Sequence, residues 1–144
     1  MIAVAPLEPE DQAEWEILAR GYKAFYRTEH PDARYQETWR LLMDGATLHG
    51  LGARADGRLV GIAHYLFHAQ IWSDDACYLQ DLFVDPSARG KGVAAALIDR
   101  VAEAAKAAGA AKFYWLTKRD NVRARALYDR VATLSAFVRY DYSL

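Results

Sequence analysis

The period of the apolar and polar positions changes several times along the chain, and each change marks an element. Ala3 to Leu7 is a short apolar run ended by Pro9, which predicts an edge strand. Glu10 to Tyr26 predicts a helix. Ala13, Ile17, Ala24 and Phe25 fall near one face, and acidic residues crowd the first turn, where the helix macrodipole favours them. Pro31 opens a second helix and Asp44-Gly45 stops it, with Tyr35, Trp39, Leu42 and Met43 as its apolar stripe. Leu48 to Ala53 and Leu59 to His68 flank Asp56-Gly57, the dipeptide that most strongly signals a β-hairpin. Cys77 to Val84 is a further apolar strand, ended by Asp85-Pro86. Gly92 to Ala108 returns to helical spacing. Val93, Leu97, Val101, Ala104 and Ala108 lie on one side, Asp99, Arg100, Glu103 and Lys106 on the other, and Gly109 follows as cap. Phe113 to Thr117 predicts a strand, Asp120 or Asn121 caps a helix running to about Val131, and Ala136 to Tyr142 alternates like a last strand.

Strand, two helices, three strands, helix, strand, helix, strand is the order of an α+β or mixed α/β domain. The chain is 144 residues long, 53% hydrophobic and 26% charged, as expected of one globular domain spanning 1–144. It shows no repeat, low-complexity tract or linker. One cysteine, Cys77, excludes an intrachain disulfide framework and a multi-cysteine zinc site. A net charge of −1 argues against nucleic acid and anionic lipid as partners. The start, MIAVAPLEPEDQAEW, lacks the basic region of a signal peptide, and the longest clean apolar run, Val93 to Ile98, is too short to cross a bilayer. A cytoplasmic protein without a membrane partner is expected.

Chemistry concentrates in YLQDLFVDPSARGKGVAAALIDR, residues 78 to 100. A strand ends, Asp-Pro turns the chain, and Arg89-Gly90-Lys91-Gly92 leads directly into a helix. Glycines let backbone approach a ligand, and the free N–H groups of a helix start form an anion site. Arg89 and Lys91 add positive charge. The segment fits a phosphate or pyrophosphate cradle; a plain strand-to-helix turn with solvated basic residues fits it as well. The spacing is neither that of a Walker A loop nor that of the dinucleotide fingerprint.

RGKGVA resembles the R/Q-x-x-G-x-G/A signature of the GNAT superfamily of acetyl-CoA-dependent N-acyltransferases. Asn121, Ala124, Leu127 and Tyr128 resemble the N-x-x-A-x-x-[LF]-Y pattern on that family's helix after the fifth strand, and YLQDLFVDP resembles its L-x-D/E-L-x-V-x-P strand. The likeness is strongest over residues 59 to 131. It is nearest to the branch holding diamine and small histone or D-amino-acid acetyltransferases. It implies a GNAT-like fold: a twisted, mostly antiparallel sheet of about six or seven strands, splayed between the fourth and fifth, with about four flanking helices. It also implies acetyl-CoA as co-substrate, no metal, and a homodimer to which Phe137, Tyr140 and Tyr142 contribute. The acceptor would be a small amine, a polyamine, an amino acid or a protein lysine.

By the same resemblance, the backbone N–H groups of Arg89, Gly90, Lys91, Gly92, Val93 and Ala94 hold the pyrophosphate. Main-chain groups of Phe83 and Val84 pair with the pantetheine arm, and Asn121 bonds the arm or a water beside it. An amine must be neutral to attack a thioester, so a proton acceptor is useful. The tetrahedral intermediate needs a preorganised donor, for which the N–H near Phe83 or Val84 stands by analogy. The thiolate leaves better when protonated, the role of Tyr128 at the matching position. Without Asn121, the stripe Ala124, Leu127, Tyr128 and Val131 would read as core.

The chain departs from the diamine enzymes at Gln80, where they carry a glutamate; glutamine accepts no proton at useful pH. Asp81 is the only carboxylate on that strand. It could bind the substrate ammonium, act as the base, or satisfy buried backbone groups, because neighbouring strand residues face opposite sides unless a bulge intervenes. Ala132 stands where many members have glycine, so the turn before the last strand is expected to be strained or differently shaped.

Other features have ordinary explanations. His64 and His68 share a strand face, but no third ligand clusters with them, so core or pocket histidines are expected. Lys118, Arg119, Arg123, Arg125 and Arg130 form a solvated basic face, of which Arg123 or Arg125 could meet the 3′-phosphate of CoA. Trp72, Asp74 and Asp75 with Tyr22, Tyr26 and Tyr35 could line an acceptor site, or be turn and packing residues. Cys77 has no base partner and is no nucleophile. Three functions compete: an N-acetyltransferase, a CoA-binding sensor or scaffold left by loss of the base at Gln80, and a nucleotide binder on the same loop.

Overall fold

A short apolar strand pairs with a hairpin, the hairpin with a longer strand, and helices cover both faces of the sheet that results. The computed structural model describes all 144 residues. In chain order the elements are β1 (Ile2–Pro6), α1 (Gln12–Phe25), α2 (Asp32–Asp44), β2 (His49–Ala55), β3 (Arg58–His68), β4 (Ala76–Val84), α3 (Val93–Ala107), β5 (Lys112–Trp115) and α4 (Val122–Val131), with short 3₁₀ turns at Pro9–Asp11 and Pro86–Ala88. The sheet order is β1-β2-β3-β4-β5, antiparallel except for the parallel pair β4–β5.

Local chemistry explains the joints. Asp56 and Gly57 both take positive φ, +51° and +76°, the two-residue turn whose twist matches the flanking strands. Gly45 ends α2 in the left-handed conformation. Asn121 is the cap of α4, its Oδ1 accepting from the Ala124 N–H at 3.4 Å.

The two faces of the sheet bury separate cores. Val60, Ala63, Cys77 and Leu79 lie with Val93, Leu97, Ile98 and Val101 of α3 on one face. Leu59, Ile62 and Phe83 lie with Trp15, Leu18, Ala19, Trp39 and Leu42 of α1 and α2 on the other. Gly61 lets α3 lie close, since a Cβ there would stand 2.8 Å from Val93 Cγ1 and 3.1 Å from Leu97 Cδ1. Glu14 anchors α1 to the hairpin by accepting the Leu59 N–H at 2.9 Å, while Arg54 pairs with Asp11 and Glu14.

Two expectations change. The sheet has five strands, not six or seven, because Ala136 to Tyr142 is not a strand. Ala132 is extended, at φ −148° and ψ −177°, and every residue from Val131 to Leu144 is exposed. The tail's hydrogen bonds are local, Phe137 N–H to Ser135 Oγ and Arg139 to Asp141. Alternation makes a strand only against a partner edge, and the tail meets none within the chain. The second change is that β5 is Lys112–Trp115, shorter than expected at its far end. It pairs with β4 only over Ala76 to Leu79, so Gln80 to Val84 border an open notch where the sheet splays. No helix is long and apolar enough to cross a membrane.

Candidate active site

The notch and a pocket beside it both follow from one irregularity in β4. His64 stands opposite Asp81, but Tyr65 stands opposite Leu79. Gln80 is therefore an extra residue, a β-bulge. In a regular strand Leu79 and Asp81 would share a face. The bulge sends Leu79 into the core beneath α3, while Gln80 and Asp81 line one cavity of about 200 Å³ under α1 and α2. Trp15, Ile62, Leu42 and Leu48 give this pocket apolar walls; Tyr22 and Tyr35 add phenols, and Lys23, His30 and Arg34 add cationic or basic groups.

Asp81 is held in place by hydrogen bonds. His64 Nδ1 lies 2.8 Å from Asp81 Oδ2, and Trp15 Nε1 donates to His64 Nε2 at 2.9 Å. An indole N–H only donates, so Nε2 is the acceptor and Nδ1–H donates to the carboxylate. Burial alone would raise the carboxyl pKa of Asp81. The hydrogen bond from His64, with Lys23 and the Tyr22 phenol also favouring the anion, outweighs burial and holds it below the usual value. Tyr22 is pushed far upward by burial and by the charge of Asp81, so its phenol stays protonated. Its ring lies 5.0 Å from that of Tyr26.

Beyond the end of β4 lies the glycine loop. Gly90 and Gly92 have φ of +76° and +81°, and open space surrounds both. The N–H groups from Gly90 to Ala95, including those of Lys91, Gly92, Val93 and Ala94, find no acceptor within the chain. They stand at the positive end of α3, a geometry suited to an anion. The Val93 side chain itself is buried in the core, so only its amide is available. Lys91 is exposed. Arg89 folds back: its Nε donates to the Val84 carbonyl at 3.3 Å, and its guanidinium lies 5.8 Å from the Phe83 ring. The Asp85 N–H crosses to the Val60 carbonyl on β3, so strand alternation turns the Val84 N–H away from β3, into the notch. Phe83 is buried, its ring edge-on to Tyr22 at 6.1 Å.

Tyr128 lies on α4, beside the end of β5. Its ring packs edge-on against Trp115, the last residue of β5, at 5.4 Å between centroids. Burial, with the neighbouring Tyr26, raises its pKa, so it carries its proton at neutral pH. Asn121 caps α4 and also donates from Nδ2 to Thr117 Oγ1 at 3.2 Å, which places it at the same end of the notch by structural bonds.

Some expected members lie elsewhere. Trp72, Asp74 and Asp75 are exposed in the β3–β4 loop and do not line the pocket. His68 is tied to Tyr114 at 2.9 Å, away from His64. Arg125 donates to the Arg119 carbonyl at 2.7 Å, while Arg123 is exposed. Cys77 is fully buried, and burial pushes its thiol up to about 11. Trp15, Lys23 and Arg34 were not singled out from sequence, because only the packing of α1 and α2 brings them to the pocket.

Residues 13–132 match the Acetyltransferase (GNAT) family. The chain is 35% identical to the D-amino-acid N-acetyltransferase HPA3 of Saccharomyces cerevisiae over 96% of its own length and 89% of that protein. It is 34% identical to the thialysine N-epsilon-acetyltransferase of Mus musculus over 81% of its length and 68% of that protein. In structure it resembles AAC(6')-Iy in complex with the bisubstrate analog CoA-S-monomethyl-acetylneamine, with a TM-score of 0.89, 20% identity and coverage of 100% of this chain and 98% of that one. The family match, the two relatives and the splayed sheet agree: the chain belongs to the GNAT family of acetyltransferases.

Proposed function

We propose that the protein transfers the acetyl group of acetyl-CoA to a small-molecule primary amine by direct attack, with Asp81 receiving the amine and Tyr128 protonating the departing thiolate. The observation that carries this is the bulge at Gln80. It turns Asp81 into a pocket that opens beside the unpaired edge of β4, only three residues, roughly 10 Å along the strand, from Val84, the end of the strand that leads to the glycine loop.

Acetyl-CoA supplies the thioester. The amides of Gly90 to Ala94 would receive its pyrophosphate, the Arg89 N–H being taken instead by the Pro86 carbonyl at 3.4 Å, and the edge at Phe83 and Val84 its pantetheine arm. Asn121 would bond that arm directly or through water. The Asp81 carboxylate attracts an ammonium and passes its proton on to water, since a carboxyl held below the usual value does not keep it at neutral pH, and the Val84 N–H suits the carbonyl oxygen as it gains charge. Tyr128 keeps its proton until the sulfur needs it. With Asp81 in the pocket, glutamine at position 80 does not leave the site without a carboxylate. This favours the enzyme over a CoA-binding scaffold.

The exposed apolar residues of the tail, Phe137, Val138, Tyr140 and Tyr142, support a homodimer as the working form. A free, buried Cys77 suits the reducing cytoplasm. The test is thiol release from acetyl-CoA with a panel of polyamines, D- and L-amino acids, aminoglycosides and a lysine-rich peptide. Release with one amine class supports transfer; acetyl-CoA binding without release from any amine would favour the scaffold.

A further inference from the structure

The acceptor pocket holds one carboxylate, Asp81, and that group is already bonded to His64. Two cations share the lining and form no ion pair, although the charge of Lys23 also reaches Asp81. The guanidinium of Arg34 makes no hydrogen bond and no ion pair; its nearest acid on α2, Glu37, is engaged by Arg40 at 2.7 and 2.9 Å. The ammonium of Lys23 rests 5.4 Å from the Tyr22 ring and forms no ion pair. By contrast Arg20, on the outer side of Tyr35, is fully engaged by Glu16 and Asp32 at 3.1 and 2.7 Å. The basic imidazole of His30 lies beside the same ring of Tyr35.

We infer that Arg34 and Lys23 bind a carboxylate carried by the acceptor, so that the preferred acceptor is a compact zwitterion, an amine and a carboxylate on one small apolar frame. This rests on the amine-acetylating function proposed above and names the acceptor class of the same site. A zwitterion matches the charges of the lining: ammonium to Asp81, carboxylate to the unpaired Arg34 and Lys23. A polyamine or an aminoglycoside would place further positive charge against Arg34 and Lys23, an unfavourable like-charge contact. The volume points the same way. About 200 Å³ is below the usual range for drug-sized ligands, and the apolar walls from Trp15, Leu42, Leu48 and Ile62 suit a single aliphatic or aromatic side chain.

The test compares three matched acceptors, leucine, leucinamide and 3-methylbutylamine, each amino acid derivative as both enantiomers, with spermidine as the polycation. Thiol release gives kcat/KM for each. The wild-type protein is expected to favour the acid over the amide, and Arg34→Gln to reduce that preference about tenfold or more, the loss typical of a hydrogen bond between charged groups. Lys23→Met should reduce it as well. Arg34 is exposed and unbonded, so its replacement leaves the fold intact. Equal use of acid and amide by the wild-type protein, or preference for spermidine, would overturn the inference while leaving amine acetylation standing. Acetyl transfer to none of these and to no other amine would instead remove the function on which it rests.

Discussion

At the scale of single residues, Asp81 carries most of the chemistry in the proposed function. Its carboxyl sits below the usual value because His64 donates to it, and it remains ionised down to acidic pH. Replacing it with asparagine keeps the shape and removes both charge and proton acceptance; turnover is expected to fall about 10²- to 10⁴-fold, measured by thiol release at saturating acetyl-CoA. The same depressed pKa sets a stability trend. The folded carboxyl binds protons less readily than an unfolded aspartate, near 3.9, so the stabilisation is present above that pH. It is lost as pH falls through the folded value. Thermal melts taken downward from neutral pH should show a smaller acid-induced loss for Asp81→Asn than for the wild-type protein. None of this was visible from residue type alone. Sequence placed a carboxylate beside Gln80, but only strand register brings His64, 17 residues away, to its side.

At the scale of elements, the joints whose chemistry is local could be read in advance. Asp56-Gly57 demanded a hairpin turn, and Arg89-Gly90-Lys91-Gly92 demanded a loop of positive φ before a helix; both are found. Gly92 at +81° admits other residues only with strain, about 1–2 kcal/mol. Gly92→Ala is therefore expected to weaken acetyl-CoA binding about tenfold by reshaping the amide cradle, as calorimetry would show, with a modest loss in melting temperature. The bulge at Gln80 was not legible, because a bulge is a property of two strands and the partner residue count, not of one strand's pattern. For the same reason the pocket cations Lys23 and Arg34 escaped notice: each sits on an unremarkable polar helix position until α1 and α2 pack over the bulge.

For the whole molecule, the tail is the element where period-2 alternation misled, since its exposed Phe137, Tyr140 and Tyr142 pair with no strand of the chain. If a second copy covers them, deletion of residues 133–144 should convert a dimer to a monomer in sedimentation equilibrium; a full-length monomer would remove the homodimer. The proposed function divides its labour across the notch, with acceptor and base on the α1–α2 side of β4, the anion cradle at the start of α3, and the acid on α4. That division is tested most directly by Tyr128→Phe, assayed for kcat with the preferred amine and, in parallel, for the acetyl-CoA Kd. The phenol is half-buried and keeps its proton at neutral pH, so removing its hydroxyl should lower kcat about 10²- to 10⁴-fold while Kd stays within about twofold. An unchanged kcat, or a loss of binding as large as the loss of turnover, would contradict Tyr128 as the acid that releases the thiol.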